Sequence, residues 1–156
     1  MVHERPKWND KMLNELAVFT ADIIAKWSDD DSDIQDLIED CESILRYHKD
    51  DDGYELAKQF EDLGYESDRA LVEELDIVSY ECLDILKRHI KKWVAENNLT
   101  LDFKIGDNVK FDDRTGVKNG IIRDLRPETM QYVIWHEKLD KNTIGTYIVA
   151  EKVELL

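Results

Sequence analysis

Apolar residues recur every three or four positions as far as residue 97 and every second position from Leu99 onward. Leu13, Leu16, Ala17, Thr20, Ile23, Ile24 and Trp27 make one stripe and predict a first helix of roughly five turns. Ser28-Asp29-Asp30-Asp31 breaks it. Ser32-Asp33-Ile34-Gln35 then reads as a capping box, with Ser32 over an open amide and Gln35 reaching back. The second helix carries Ile34, Leu37, Ile38, Cys41, Ile44, Leu45 and His48 on one face and ends at Asp50-Asp51-Asp52-Gly53. A shorter third helix holds Leu56, Ala57, Phe60 and Leu63, with Gly64 where a left-handed cap belongs. Ser67 caps a long fourth helix whose inner positions are Leu71, Leu75, Val78, Cys82, Ile85, His89 and Trp93. Four helices with short links imply a compact bundle, although the apolar stripe of the fourth would also serve a homodimer.

The alternating region predicts five short strands: Ile105 to Phe111, Gly120 to Leu125, Met130 to Trp135, Thr143 to Val149 and Val153 to Leu156. Their turns are built from Asp, Asn, Gly and Pro, as in a small barrel. The fold class is therefore α+β, an N-terminal four-helix acidic bundle over 1–97 followed by a five-stranded β-barrel over 98–156.

Charge divides the chain at the same place. Residues 1–97 hold 26 Asp/Glu against 12 Lys/Arg, a balance of −14, whereas 98–156 hold 10 against 9. Such a field repels nucleic acid and anionic membrane and attracts a basic protein surface. The densest part is Asp29, Asp30, Asp31, Asp33, Asp36, Glu39, Asp40 and Glu42. Carboxylates three or four apart on a helix stand about 5–6 Å from one another, an interval at which they can imitate a phosphate strand. The plainer reading is a solvated helix face that gives solubility and a favourable charge near the helix N-terminus.

No segment reaches the roughly 18 apolar residues that span a bilayer. The opening Met1-Val2-His3-Glu4-Arg5-Pro6 lacks a leader pattern, so a cytoplasmic location is expected. Cys41 and Cys82, both inside helices, suit a reducing compartment. They belong to a local echo, Asp40-Cys41-Glu42-Ser43-Ile44-Leu45-Arg46-Tyr47-His48 against Glu81-Cys82-Leu83-Asp84-Ile85-Leu86-Lys87-Arg88-His89. Cys and His seven apart lie about 10 Å apart along one helix, so only crosswise pairing of two helices could hold a metal. Registering Gly53 in a calcium loop puts His48 and Gln59 where acidic donors belong, which rejects that site. The six glycines sit singly at turns, and no nucleophile setting is present; His136, followed by Glu137, is read as the one histidine at an exposed strand end. Neither enzyme activity, nor a metal, nor a cofactor is expected.

The runs "IGDNVKF", "GIIRDL", "YVIW" and "YIVAEKVELL" resemble a small SH3-like barrel of the KOW and Tudor type over residues 103–156. That resemblance implies a barrel that binds RNA, peptides or protein domains. Electrical neutrality and the lack of a basic cluster interleaved with aromatics argue against RNA. Tyr132, Trp135 and Tyr147 are the candidates for an aromatic patch. From Asp52 to the end, a "DGYELAKQFED" helix ahead of a helical hairpin and terminal barrel is similar in style to small phage- or prophage-encoded proteins. The expected function is that of a non-enzymatic acidic inhibitor of a basic nucleic-acid-handling protein such as a nuclease, as in phage counter-defence within the host cytoplasm. The alternative is an adaptor or toxin-immunity partner that uses the barrel for specific protein contact.

Overall fold

The computed structural model describes residues 4–27, 33–139 and 143–156. It is an α+β chain of five helices, α1 (Asp10–Ala25), α2 (Ile34–His48), α3 (Gly53–Asp62), α4 (Arg69–Leu75) and α5 (Val78–Glu96), followed by five strands, β1 (Asn108–Asp113), β2 (Gly116–Arg126), β3 (Gln131–Trp135), β4 (Thr146–Val149) and β5 (Val153–Leu155). It divides into two compact units, Pro6–His89 and Ile90–Leu156, the second also taking in the N-terminal segment that ends at Arg5. The division falls inside α5, ahead of the boundary at residue 97 that the sequence implied.

In the helical unit the stripe on α1 is buried as its period requires, with Leu13, Leu16, Ala17, Thr20, Ile23 and Ile24 all inside. Trp27 falls beyond the last turn and is exposed. Leu37, Cys41, Ile44 and Leu45 of α2, Leu56, Ala57 and Phe60 of α3, Leu71 and Leu75 of α4, and Val78, Cys82 and Ile85 of α5 complete one core. Gly64 does end α3 as a left-handed residue at φ 95°. Its N–H donates to the Glu61 carbonyl and that of Tyr65 to the Phe60 carbonyl, the paired bonds that satisfy a helix C-terminus.

Three local readings need correction. The cap of α2 is Asp33, whose carboxylate accepts from the Gln35 N–H at 3.0 Å, and the Gln35 side-chain amide approaches Glu39 at 3.5 Å. Ser32 lies outside the described residues. The cap before Leu71 is Asp68 rather than Ser67, whose hydroxyl instead donates to Glu61. The long fourth helix is two, broken at Asp76-Ile77, where Asp76 Oδ1 accepts the Gly53 N–H at 2.7 Å and ties the end of α4 to the start of α3.

The five strands form one antiparallel sheet in the order β4-β3-β2-β1-β5. β4 and β5 are its edges and do not pair with each other, so the sheet is open rather than the closed barrel that the pattern implied. One face gathers Val109, Phe111, Ile122, Tyr132, Ile134, Ile148 and Val153 into a second core. A register shift between Ile122 and Asp124 bends β2 against β3. Arg5 is bound to this unit, donating to the Thr129 carbonyl at 2.7 Å and pairing with Glu151 at 3.5 Å.

Candidate functional site

The acidic candidate is built on α2. Its buried residues Leu37, Cys41, Ile44 and Leu45 fix which side faces the core. At about 100° per residue, Asp36, Glu39 and Asp40 then fall together on the opposite side, with Ser43 and the 80% exposed Tyr47 continuing the row. Asp36 and Glu39 are exposed, and Asp33 is exposed at the cap. Asp40 is half-buried and accepts the Tyr65 hydroxyl at 2.8 Å. Glu42 belongs to the other flank, where its carboxylate accepts from the Asn14 amide at 2.7 Å. The row is therefore shorter than the sequence implied, and two of its members are turned to internal partners. Asp29, Asp30 and Asp31 lie outside the described residues.

Among the described residues, none of Asp33, Asp36, Glu39, Asp40 and Glu42 is ion-paired. Five of the unit's nine lysines and arginines are engaged elsewhere: Arg46 with Asp10 at 3.0 Å, Lys49 with Asp50 at 2.8 Å, Lys58 with Glu55 at 3.2 Å, Arg69 with Glu73 and Arg88 with Glu81, both at 2.9 Å. Counted by structural unit, Pro6–His89 holds 24 Asp/Glu against 9 Lys/Arg, a balance of −15. The remainder holds 12 against 12. The whole net charge of the chain is thus carried by the helical unit.

The Cys/His echo resolves into ordinary contacts. His48 Nδ1 sits 2.7 Å from Asp51 and His89 Nε2 sits 2.8 Å from Glu15, so each ring is held by a carboxylate. Burial, with the nearby Asp40 carboxylate, pushes the Cys41 thiol up to about 12. Burial and then Asp50 push up Cys82, with Lys49 opposing. Neither thiol has thiolate character at neutral pH. No group of three candidate metal ligands occurs among the described residues.

In the sheet unit the three aromatic candidates separate. Tyr132 is 1% exposed, its hydroxyl accepts the Phe103 N–H at 3.0 Å, and its ring stacks on Phe103 at 5.7 Å. It is a core residue, not a contact surface. Trp135 is half-buried beneath the Arg123 guanidinium, 5.0 Å above its ring, and lines an open cavity of about 530 Å³ with Val117, Ile121, Asn119 and Lys138. Tyr147 is exposed, and Arg126 pairs with Asp124 at 2.5 Å. No cage forms.

His136, expected at an exposed strand end, is only 5% exposed and packs on Phe111 at 5.7 Å. Sequence reasoning also missed the Asp113–Lys118 pair at 2.5 Å. Lys118, with the Thr115 hydroxyl and amide, holds Asp113 well below the usual carboxylate range. The signal was an acid and a base flanking the Gly116 turn of a hairpin. No helix of the described residues is long and apolar enough to cross a membrane. No family model matches the chain, and no curated protein or solved structure matches it either.

Proposed function

We propose that the helical unit is a non-enzymatic acidic docking module that occupies a basic surface of a nucleic-acid-handling protein and so inhibits it. The observation that carries this reading is the −15 balance of Pro6–His89, with Asp36 and Glu39 exposed and unpaired on one side of a core-anchored helix. A rigid helix holds these carboxylates about 5–6 Å apart at no further ordering cost, which suits a row of Lys or Arg that ordinarily grips phosphates. Counter-defence by a phage-encoded protein is the setting in which such an inhibitor fits, and the host cytoplasm is then its location. The other carboxylates are distributed over every helix, so long-range attraction belongs to the unit as a whole and α2 supplies orientation.

The test is binding to a purified basic nuclease or restriction complex while salt is raised. Affinity should fall steeply with ionic strength, and Asp36→Asn with Glu39→Gln should weaken binding and flatten that slope. Salt-insensitive binding, or full binding by the double variant, would overturn the reading.

The adaptor reading draws on the sheet unit. Five short antiparallel strands and a Gly106-Asp107 turn ahead of β1 support kinship with SH3-like barrels, and the Trp135–Arg123 stack beside an open cavity gives such a unit a contact surface. Exchanging the two readings requires only that Trp135→Ala abolish binding while the α2 variant leaves it unchanged.

A further inference from the structure

The ladder between β3 and β4 fixes which main-chain groups of β4 are used. Gln131, Tyr132, Val133 and Ile134 stand opposite Val149, Ile148, Tyr147 and Thr146, and the Ala150 N–H donates to the Met130 carbonyl at 2.9 Å. Antiparallel pairs alternate between those that exchange bonds and those that do not. Ile148 and Thr146 therefore bond to β3, whereas the N–H and C=O of Tyr147 and Val149 point away from it. β4 is a sheet edge; the Val149 carbonyl accepts within the single 3-10 turn Ala150–Lys152 that follows, which leaves the Tyr147 N–H and C=O and the Val149 N–H as the outward groups. The same segment lines a groove of about 340 Å³, walled on one side by Thr146–Val149 and on the other by the β1–β2 turn at Asp112–Thr115, with Lys152 beside it.

Exposed edges usually carry a charge, a proline or a bulge that discourages pairing. The segment Thr146-Tyr147-Ile148-Val149 has none of these, and its residues are strong strand formers. β5, the other edge, does carry Glu154.

We propose that this groove takes an extended, acidic-residue-bearing peptide segment of a partner protein, which adds to β4 as a sixth strand. Only an extended main chain returns donors and acceptors at the two-residue interval that Tyr147 and Val149 present; a helix consumes its own. Charge selects the segment further. Asp113 is engaged by Lys118 and Thr115, which leaves Arg114 and Lys152 free against Asp112 alone among the described residues lining the groove. The groove so carries one more free cation than free anions, and an acidic side chain in the added strand meets it. This contact is on a different unit from the acidic helix, and either reading stands if the other fails.

The whole protein is panned against a displayed library of random peptides, the enriched sequences are synthesised, and amide exchange is followed residue by residue. Bound peptide should slow exchange at Tyr147 and Val149 by roughly tenfold or more, with little change at Thr146 and Ile148, which are already bonded. Tyr147→Pro removes an outward donor without costing a bond to β3, and should weaken binding by roughly tenfold with an unchanged circular dichroism spectrum. Should that variant not fold, methylating alternate amides of the peptide asks the same question: one set should abolish binding and the intervening set should not. The proposal is overturned if no peptide enriches, if enriched peptides leave both amides exchanging freely, or if both become protected with concentration alone, which would assign the edge to a second copy of the chain.

Discussion

In the sheet unit, acids and bases are equal in number and several are held together, as in Asp113–Lys118, Asp124–Arg126, Lys110–Glu154 and Arg5–Glu151. In the helical unit, five cations are likewise engaged by carboxylates, yet the excess of acids remains and falls on exposed helix faces. Both units bury an apolar core, so the difference is not one of folding strategy. It lies in what the surface is left to do. A balanced surface satisfies itself, while an unbalanced one keeps a field that only a partner or salt can neutralise. Stability in the helical unit must therefore come from its interior, against its own surface.

The largest effects test that division. Phe60→Ala removes a fully buried ring from the helical core and should cost about 3–5 kcal/mol in urea unfolding followed by helical circular dichroism. A cost under about 1 kcal/mol would mean the core does not hold the unit. Gly53→Ala should be nearly as damaging, at about 3 kcal/mol. An added Cβ there would lie 2.1 Å from the Val72 carbonyl oxygen and 2.7 Å from the Asp76 amide nitrogen, both backbone, and would push apart the α3–α4 tie. In the sheet unit, Tyr132→Phe keeps the stacked ring but leaves the Phe103 N–H without its acceptor, a loss of about 1 kcal/mol in urea unfolding followed at the amides of the strands.

Much of the fold was legible because it is local. The 3.6-residue period placed the cores of α1 and α2, and Gly64 announced the end of α3. The break between α4 and α5 was not legible, since neither Asp76 nor Ile77 is a helix breaker by type. Asp76 keeps a helical backbone, and what its side chain holds is an amide 23 residues away, outside any local pattern. The same phase arithmetic that located the α2 core already separates Glu42 from Asp36 and Asp40, so its departure from the acidic row could have been read. Tyr132 shares strand parity with Ile134 and not with Trp135, which also implied burial. His136 follows β3, and its cover comes from Phe111, a contact that no local pattern records.

The pairing of charges in the sheet unit has a pH signature. Lys118 and Thr115 depress the Asp113 carboxyl, so the stabilisation they give is complete above the unfolded value of about 3.9. It declines as pH falls toward the lowered folded value. The melting temperature of the wild-type protein should exceed that of Lys118→Met at pH 7, and the gap should narrow steadily as the pH is taken from about 5 to about 2. A gap that is constant over that range would show that Lys118 acts through packing of its stem rather than through its charge.

The smallest effect carries the opposite sign. On α2, Asp36 stands one turn from both Glu39 and Asp40, with no lysine or arginine paired to any of them among the described residues. Like charges at these spacings disfavour a helix by roughly 0.2–0.5 kcal/mol per pair, and a nearby cation would cancel that. Glu39→Gln should therefore stabilise the helical unit by a few tenths of a kcal/mol at low salt. The gain should fade as salt is raised, because screening does the same work for the wild type. Gln35 approaches Glu39 at 3.5 Å, and a glutamine there can still accept that contact, so the substitution isolates charge from hydrogen bonding. A destabilised variant would mean that Glu39 serves the fold. A stabilised one would mean that α2 keeps a carboxylate which costs it stability, the behaviour of a side chain retained for contact with something else.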